Sequence, residues 1–401
     1  MTFAVLAADS STGQRPDLVG NARALAKTLR DRVPRAEALR RLPDDNVQDL
    51  RVAGMFKALQ PRRCGGLETD LHEFIDAVAA LATGCGASAW VTAVTGAHHW
   101  LIGLFERQAQ DDVFAANPDA LISAVVSSRG KARRTHGGYI LNGFWPFCSG
   151  STAADWVMLG GIVQDDDGQP IDEGEFLIPI AELEVKDDWN VASLKATGSN
   201  SVVAREVFVP AHRFLSMPRA IEGSNPGMAI HEGSLYHSGV IPVLAIALGP
   251  TALGLAEGAL ADFKARLPGK QVIYTRHEIQ MEMPVTHVMV ADAATRINAA
   301  RSILHQAARN IERYAEAREL MPLDQRAQVR MDTAYASRLC LEAVQMLYLS
   351  SGGSAVALGN PVQRAWLDLH AINLHGLNCL DTAREMYGRI VLGLPQNTDL
   401  I

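Results

Sequence analysis

Cysteine is scarce in this chain of 401 residues: Cys64, Cys85, Cys148, Cys340 and Cys379 stand singly and are odd in number. No CxxC pair and no Cys/His zinc spacing occurs, so the sequence supports neither a disulfide framework nor a metal site. Reduced thiols and a cytoplasmic location are the expectation. Charge of one sign is also lacking. The 37 Lys and Arg against 44 Asp and Glu leave a net charge of -7, with no basic run. That disfavours nucleic acid and membrane surfaces as partners, because both need a cationic face. The longest apolar stretch, Val240 to Leu260, is interrupted by Pro242, Gly249, Pro250 and Gly254 and carries Glu257. It predicts a buried helix rather than a membrane span. The N-terminal MTFAVLAADSSTGQRPD has no basic region before its apolar residues and does not read as a signal peptide. Neither GxGxxG after a strand nor GxxxxGK[ST] is found, so a nucleotide-like ligand would need another cradle.

Three segments follow one another. Residues 1–118 carry helical spacing, as in LVGNARALAKTLRDRVPRAEALRRL and LHEFIDAVAALATGC, punctuated by Pro34 and Pro43. GASAWVTAVTGAHHWLIGLF is apolar on nearly every side, the mark of a helix in the middle of a domain. Residues 119–214 break into short Val-, Ile- and aromatic-rich runs bounded by Gly, Pro, Asn and Asp, with DDDGQ around Asp167 as a hairpin tip. They predict a small β-sandwich or barrel. Residues 215–401 return to long helices with Ala-rich faces, which suit close packing in a four-helix bundle or an oligomer core. The fold class expected is α+β, mostly α.

Four motifs, in order, add to this pattern: GASAWVTAVTGAHHW, GYILNGFWPFCSGSTAADW, WNVASLKATGSNSVVAREVFVP and SSGGSAVALGNPVQRAWLDLHAINLH. From about Leu50 onward the chain resembles the acyl-CoA dehydrogenase superfamily. The closer likeness is to its flavin-dependent monooxygenase branch, which includes the oxygenases of p-hydroxyphenylacetate, steroid phenols and dibenzothiophene. One departure is Leu367, where relatives usually carry Arg before the Asp. The resemblance implies an N-terminal helical domain, a central β-domain and a C-terminal four-helix bundle. It also implies reduced flavin (FMNH2 or FADH2), O2 as co-substrate through a C4a-hydroperoxyflavin, a separate NAD(P)H-dependent flavin reductase, a homotetramer, and a small aromatic or polycyclic phenol as substrate. Sulfur or nitrogen oxygenation by the same flavin chemistry stays open, as does FMN against FAD.

Dehydrogenation needs a carboxylate base within reach of the carbon alpha to a thioester. Relatives place a Glu about two dozen residues after GG or just before GP. Here those regions read HAINLHGLN and GVIPVLAIALGP, without Glu or Asp. Glu257 follows GP and reads as structural. An acyl-CoA dehydrogenase or oxidase with bound FAD is therefore the second reading, and a non-catalytic helical assembly the third. The first region offers His370 and His375 instead. An imidazole titrating near neutrality could pass a proton to reduced oxygen or take one from a phenol.

The resemblance assigns catalysis to His375, Ser149 and His98. Ser149, in PFCSG, is implied to lie beside the flavin ring; the alternative is a turn serine. Its neighbour Cys148 reads as packing. His98 and His99 are adjacent on a helix, so at most one faces a pocket, with His98 preferred. His99 and His370 complete the implied substrate contacts. Cofactor binding falls to Trp145, Phe147, Ser149, Thr197, Gly198, Ser199, Arg276, Gly352 and Gly353. The TGSN turn supplies small hydroxyls and backbone NH groups. Arg276 is implied to reach a neighbouring subunit's flavin phosphates. The glycine pair would allow close backbone approach, and Trp145 and Phe147 could stack on the flavin or fill the core. Met281, Met283, Met346 and Tyr348 are possible pocket-lining residues.

Overall fold

The computed structural model describes residues 15–277 and 279–401. Most of the N-terminal stretch read above against a signal peptide, residues 1–14, lies outside them. The first helix, α1 (Leu18–Leu39), is capped by Asp17, whose carboxylate accepts the Gly20 NH at 2.8 Å. Its buried face is Leu18, Ala22, Leu25, Ala26, Leu29, Val33 and Ala36, the spacing of one helical stripe. Pro34 does not end the helix, as its spacing suggested; α1 runs through it to Leu39. Pro43 does mark a boundary, immediately before α2 (Asp44–Val52). Next come α3 (Leu71–Ala82), α4 (Gly86–Ile102) and α5 (Arg107–Phe114). Every residue of α4 is buried, as its apolar circumference required.

Seven strands follow: β1 (Ile122–Thr135), β2 (Gly138–Trp145), β3 (Trp156–Gln164), β4 (Pro170–Pro179), β5 (Glu184–Val185), β6 (Val202–Pro210) and β7 (Phe214–Ser216). They form one sheet in the order β5-β6-β2-β1-β3-β4-β7, antiparallel except for β1 against β3. A register break between Val125 and Gly130 bends β1. The sheet curls enough for Phe176 and Ile178 of β4 to share a core with Val202, Ala204, Val207 and Val209 of β6, although three strands separate the two. The β3–β4 hairpin turns at Asp165–Gln169, where the Asp165 carboxylate accepts the NH groups of Asp167 and Gln169.

The helices resume with short α6 (Met217–Ile221), α7 (Gly227–Ile230) and α8 (Val240–Ile246), then α9 (Gly249–Arg266), α10 (Pro284–Ala317), α11 (Leu323–Leu349), α12 (Pro361–Asn373) and α13 (Leu380–Val391). The apolar stretch Val240–Arg266 is buried as α8 and α9, inside the helical core. Gly254 lets α9 cross α3 closely: a Cβ there would stand 2.0 Å from the Ala79 carbonyl oxygen. Helices α9, α10, α11 and α12 form the bundle, with α13 against α11. The buried stripe of α10 is largely Ala293, Ala300, Ala307, Ala308 and Ala315. The chain is α+β and mostly α, with the sheet set between two helical regions in sequence.

Candidate active site

Three chain segments meet at Trp90 of α4. Its indole NH donates to Ser149 Oγ at 3.1 Å, in the loop after β2. Its ring meets His375 edge-on, with centroids 5.7 Å apart, in the turn between α12 and α13. Trp90 thus links two of the catalytic candidates. The sequence did not single it out, because a helix apolar on all sides gives no sign of which face meets a site.

Ser149 sits in a rigid setting. Ser123 donates to its carbonyl oxygen at 2.9 Å, and Gly150 NH donates to Thr197 O at 2.9 Å. Gly150 and Gly198 both have positive φ, +77° and +56°, where glycine relieves strain. A Cβ on Gly198 would also stand 2.7 Å from Thr152 Oγ1. The hydroxyls of the TGSN turn do not point outward as a cradle. Thr197 donates to Leu194 O at 2.9 Å, so its 2.6 Å contact with Ser199 Oγ takes the Ser199 proton. Ser149 must then donate to Ser199 across 2.8 Å. The direction of this chain leaves Ser149 one free lone pair and no free proton. Thr197 and Ser199 are buried and hold Ser149 in place.

The chain begins at a buried carboxylate. Asp368 of α12 accepts the Leu194 NH at 2.6 Å, and burial pushes it up to about 7 against that bond's opposing pull. The Asp that follows Leu367 thus has a backbone partner. Glu257 is paired with Arg301 at 2.7 Å and is structural, as its position after GP indicated. Among the described residues no Asp or Glu hydrogen-bonds to Trp90, Ser149, His98 or His375.

The imidazoles differ from one another. The Leu377 NH donates to His375 Nδ1 at 3.3 Å, which puts the ring proton on Nε2. The residue is exposed to solvent, while protein crowds its ring from the Trp90 side. Burial, and secondarily the Arg330 charge, lower its pKa to about 4. The imidazole expected to titrate near neutrality is therefore neutral at pH 7. His98 donates from Nδ1 to Ile122 O at 3.0 Å, so its Nε2 is a bare acceptor, and it makes no hydrogen bond among the described residues. His98 is buried, with its pKa lowered to about 4 by that burial. Ile122 adjoins Ser123, so His98 and Ser149 hang on the same stretch of β1.

Several candidates lie elsewhere. His99 donates to Phe56 O at 2.8 Å, packs edge-on against Phe114 and is 1% exposed. It is a core residue, not a substrate contact. His370 is exposed and donates to Trp366 O at 2.7 Å on its own helix. It is joined to the Tyr348–Trp366 stack rather than to Trp90. Trp145 is fully enclosed in the sheet core, its NH on Gly160 O at 2.8 Å, so it cannot stack on a flavin. Phe147 is 66% exposed, at φ +67°, edge-on to Trp189. Cys148 lies in the sheet core, as read. Arg276 is exposed in the segment between α9 and α10. That segment leans on the glycine pair through Lys270, which donates to Ser351 O at 2.7 Å, and Gln280, which donates to Ser350 O at 2.8 Å. Gly352 has φ +72°, and a Cβ on Gly353 would meet nothing within 4 Å. Lys270, Gly352 and Gly353 thus lie together, and the exposed Arg276 belongs to the same segment as Lys270. Met346 and Tyr348 pack against the core, and Met281 is half exposed.

A family model described as the acyl-CoA dehydrogenase C-terminal domain matches residues 246–378. The chain is 37% identical over 376 residues to the oxygenase subunit of a flavin-dependent monooxygenase from Rhodococcus jostii, covering 93% of this chain and 97% of that protein. The chain belongs to the flavin-dependent monooxygenases of acyl-CoA dehydrogenase fold. Another member is the oxygenase component of an FADH(2)-dependent resorcinol hydroxylase from Rhizobium sp., 32% identical, with 94% of each chain covered. The crystal structure of 3-HSA hydroxylase from a Rhodococcus species superposes with a TM-score of 0.90 at 34% identity, over 96% of this chain and 99% of that one. XiaF from Streptomyces sp., solved with FADH2 and glycerol, gives 0.90 at 28% identity, over 95% and 96%. The chain's own geometry brings Trp90, Ser149 and His375 together, and ties His98 to β1 through Ile122 O, one residue from the Ser123 that holds Ser149.

Proposed function

We propose that this chain is the oxygenase component of a two-component system. It takes reduced flavin from a separate NAD(P)H-dependent reductase and, with O2, hydroxylates a small aromatic, phenol-like substrate. One observation carries this reading: a charge-free group of Trp90, Ser149 and His375, with His98 of α4 bonded to the strand that supports Ser149 and its Nε2 left bare. The names of the relatives agree, since they act on resorcinol and p-hydroxyphenylacetate and one structure holds FADH2.

The residues present fit a flavin. Ser149 offers an accepting lone pair, and Phe147 offers an exposed ring face nearby in the chain. Arg276 and Lys270 supply cations, and Gly352 and Gly353 an open backbone, for phosphate groups. When bound, reduced flavin supplies the electrons that activate O2. The chain's own residues do the rest. His98 Nε2 accepts a hydrogen bond from the phenol O–H, which orients the ring and adds electron density to it. His375 donates from Nε2–H without carrying charge. Trp90 keeps Ser149 and His375 at a fixed separation. The exposed surface around Arg276 and the glycine pair is completed by a second copy of the chain in a homotetramer.

The test is oxygen incorporation. The chain, a flavin reductase, NADH and a panel of phenols, indoles and thiophenes are incubated, and products are read by mass. A gain of one oxygen from a phenol is expected, lost by at least tenfold in His98→Ala and Ser149→Ala. Bleaching of bound FAD by an acyl-CoA, with no oxygenated product, would overturn the reading.

A further inference from the structure

We propose that Arg330 is a positioning residue for His375, holding a buried, unpaired positive charge against the turn that carries the ring. The idea rests on the reading of His375 as a site residue and adds to it a charged group that reinforces the effect of burial on the ring.

Arg330 lies on α11 and is 7% exposed. Its guanidinium donates to Gly376 O at 3.3 Å, next in the chain to His375, and to Leu400 O at 2.8 Å. The Met386 sulfur lies 3.6 Å away, and Nε has no partner. No carboxylate pairs with it among the described residues. An unpaired buried charge is costly, and guanidinium does not shed its proton to avoid the cost. The turn does not need the charge for its shape. Asn378 already ties it, with its NH on His375 O at 2.8 Å and its side-chain amide on Ile372 O at 3.1 Å. Asn373 adds a bond to Ser337 O. A neutral donor would serve Gly376 equally well, so the charge has another effect.

That effect falls on the imidazole. The other elements around His375 bring it little charge: α4 presents Trp90 and the loop after β2 presents Ser149. At the head of α13, Cys379 lies beside Arg330, while Asp381 is exposed and faces Arg384. Arg330 is thus the charged group whose field reaches the ring. A cation there opposes imidazolium, while the Leu377 NH on Nδ1 fixes the proton on Nε2. Arg330 thus adds to burial in keeping the ring neutral, while a different group fixes the tautomer. The bond to Leu400 hangs the segment after α13 on the same guanidinium.

The experiment is a titration of the His375 ring nitrogens by NMR in the full-length chain, assigned with His375→Asn, for wild type, Arg330→Lys and Arg330→Gln. In wild type, His375 is expected to stay neutral with its proton on Nε2 down to pH 5. Arg330→Lys keeps that behaviour. Arg330→Gln raises the pKa by about one unit, a tenfold gain in proton affinity. Equal shifts in both variants, or none in Arg330→Gln, overturn the proposal. A wild-type His375 that titrates near its ordinary value overturns it with no variant needed, should Arg330→Gln not fold. Activity of His375→Asn is read separately. If it is unchanged, the catalytic reading of His375 fails, while the titration still decides the role of Arg330.

Discussion

Ser149 has a single proton, and Ser199 takes it. If Ser149 meets the flavin ring as proposed, a serine that only accepts favours the reduced form, which presents an N–H where the oxidised ring has a bare nitrogen. Ser199→Ala frees the Ser149 proton. It is expected to shift the ratio of oxidised to reduced FMN dissociation constants about fivefold toward the oxidised form, the worth of one neutral hydrogen bond. Anaerobic fluorescence titration measures it. Ser151→Ala, which loses only a bond to Gly198 O, serves as the control. The two adjacent histidines separate in the same way. His99→Ala should cost about 2 kcal/mol in denaturant unfolding, because it removes a buried ring and its bond to Phe56 O. Turnover of the folded enzyme should stay unchanged. His98→Ala removes a buried ring and its bond to Ile122 O and should cost a comparable stability, but turnover of the folded enzyme should also fall. From sequence, His375, Ser149 and His98 can be named as candidates because each stands in a motif. Trp145 was misplaced for a physical reason. Pro146 and the positive φ of Phe147 break the strand alternation, so one aromatic turns into the core and the other out.

Elements were legible where periodicity was strong, as in α1, α3 and the wholly buried α4. The strands were legible as strands, but their order was not, since pairing three strands apart leaves no local mark. Glu175 was equally hidden. It stands on β4 opposite Gly160, fully buried, with neither carboxylate oxygen bonded among the described residues. Burial, then repulsion from Glu173, raises its pKa to about 8. The sign follows from proton counting. Between the unfolded value near 4.5 and the folded value near 8, the native state holds a proton that the unfolded state has lost. Stability therefore falls as pH rises through that window. Glu175→Gln removes the dependence. The variant is expected to gain on wild type from pH 5 to pH 8.5, by about 4 kcal/mol in urea unfolding across that range. A constant difference across that range would show that Glu175 does not titrate in the fold.

At the scale of the whole molecule, the conspicuous feature is apolar surface at one end of the chain's helical part. Tyr274 is completely exposed, and Ile273, Leu349, Val356 and Leu358 are largely so. These residues flank Arg276 and the glycine pair, and the Lys270 and Gln280 bonds tie the α9–α10 segment to that turn. Scattered exposed apolar residues need no explanation, but a cluster beside a cationic loop does. Ala-rich helix faces suggested a close-packed core in the sequence, yet sequence alone cannot say which surface stays uncovered in one copy. If a second copy covers this surface and receives Arg276, charge and association separate experimentally. Arg276→Ala should weaken flavin binding by about tenfold while the mass in sedimentation stays that of the assembly. Leu358→Asp, a charge placed on the apolar surface, should lower the mass and weaken flavin binding together. Should Leu358→Asp dissociate the assembly and leave flavin affinity intact, the phosphates would be held within one chain, by Lys270 rather than by a neighbour's Arg276.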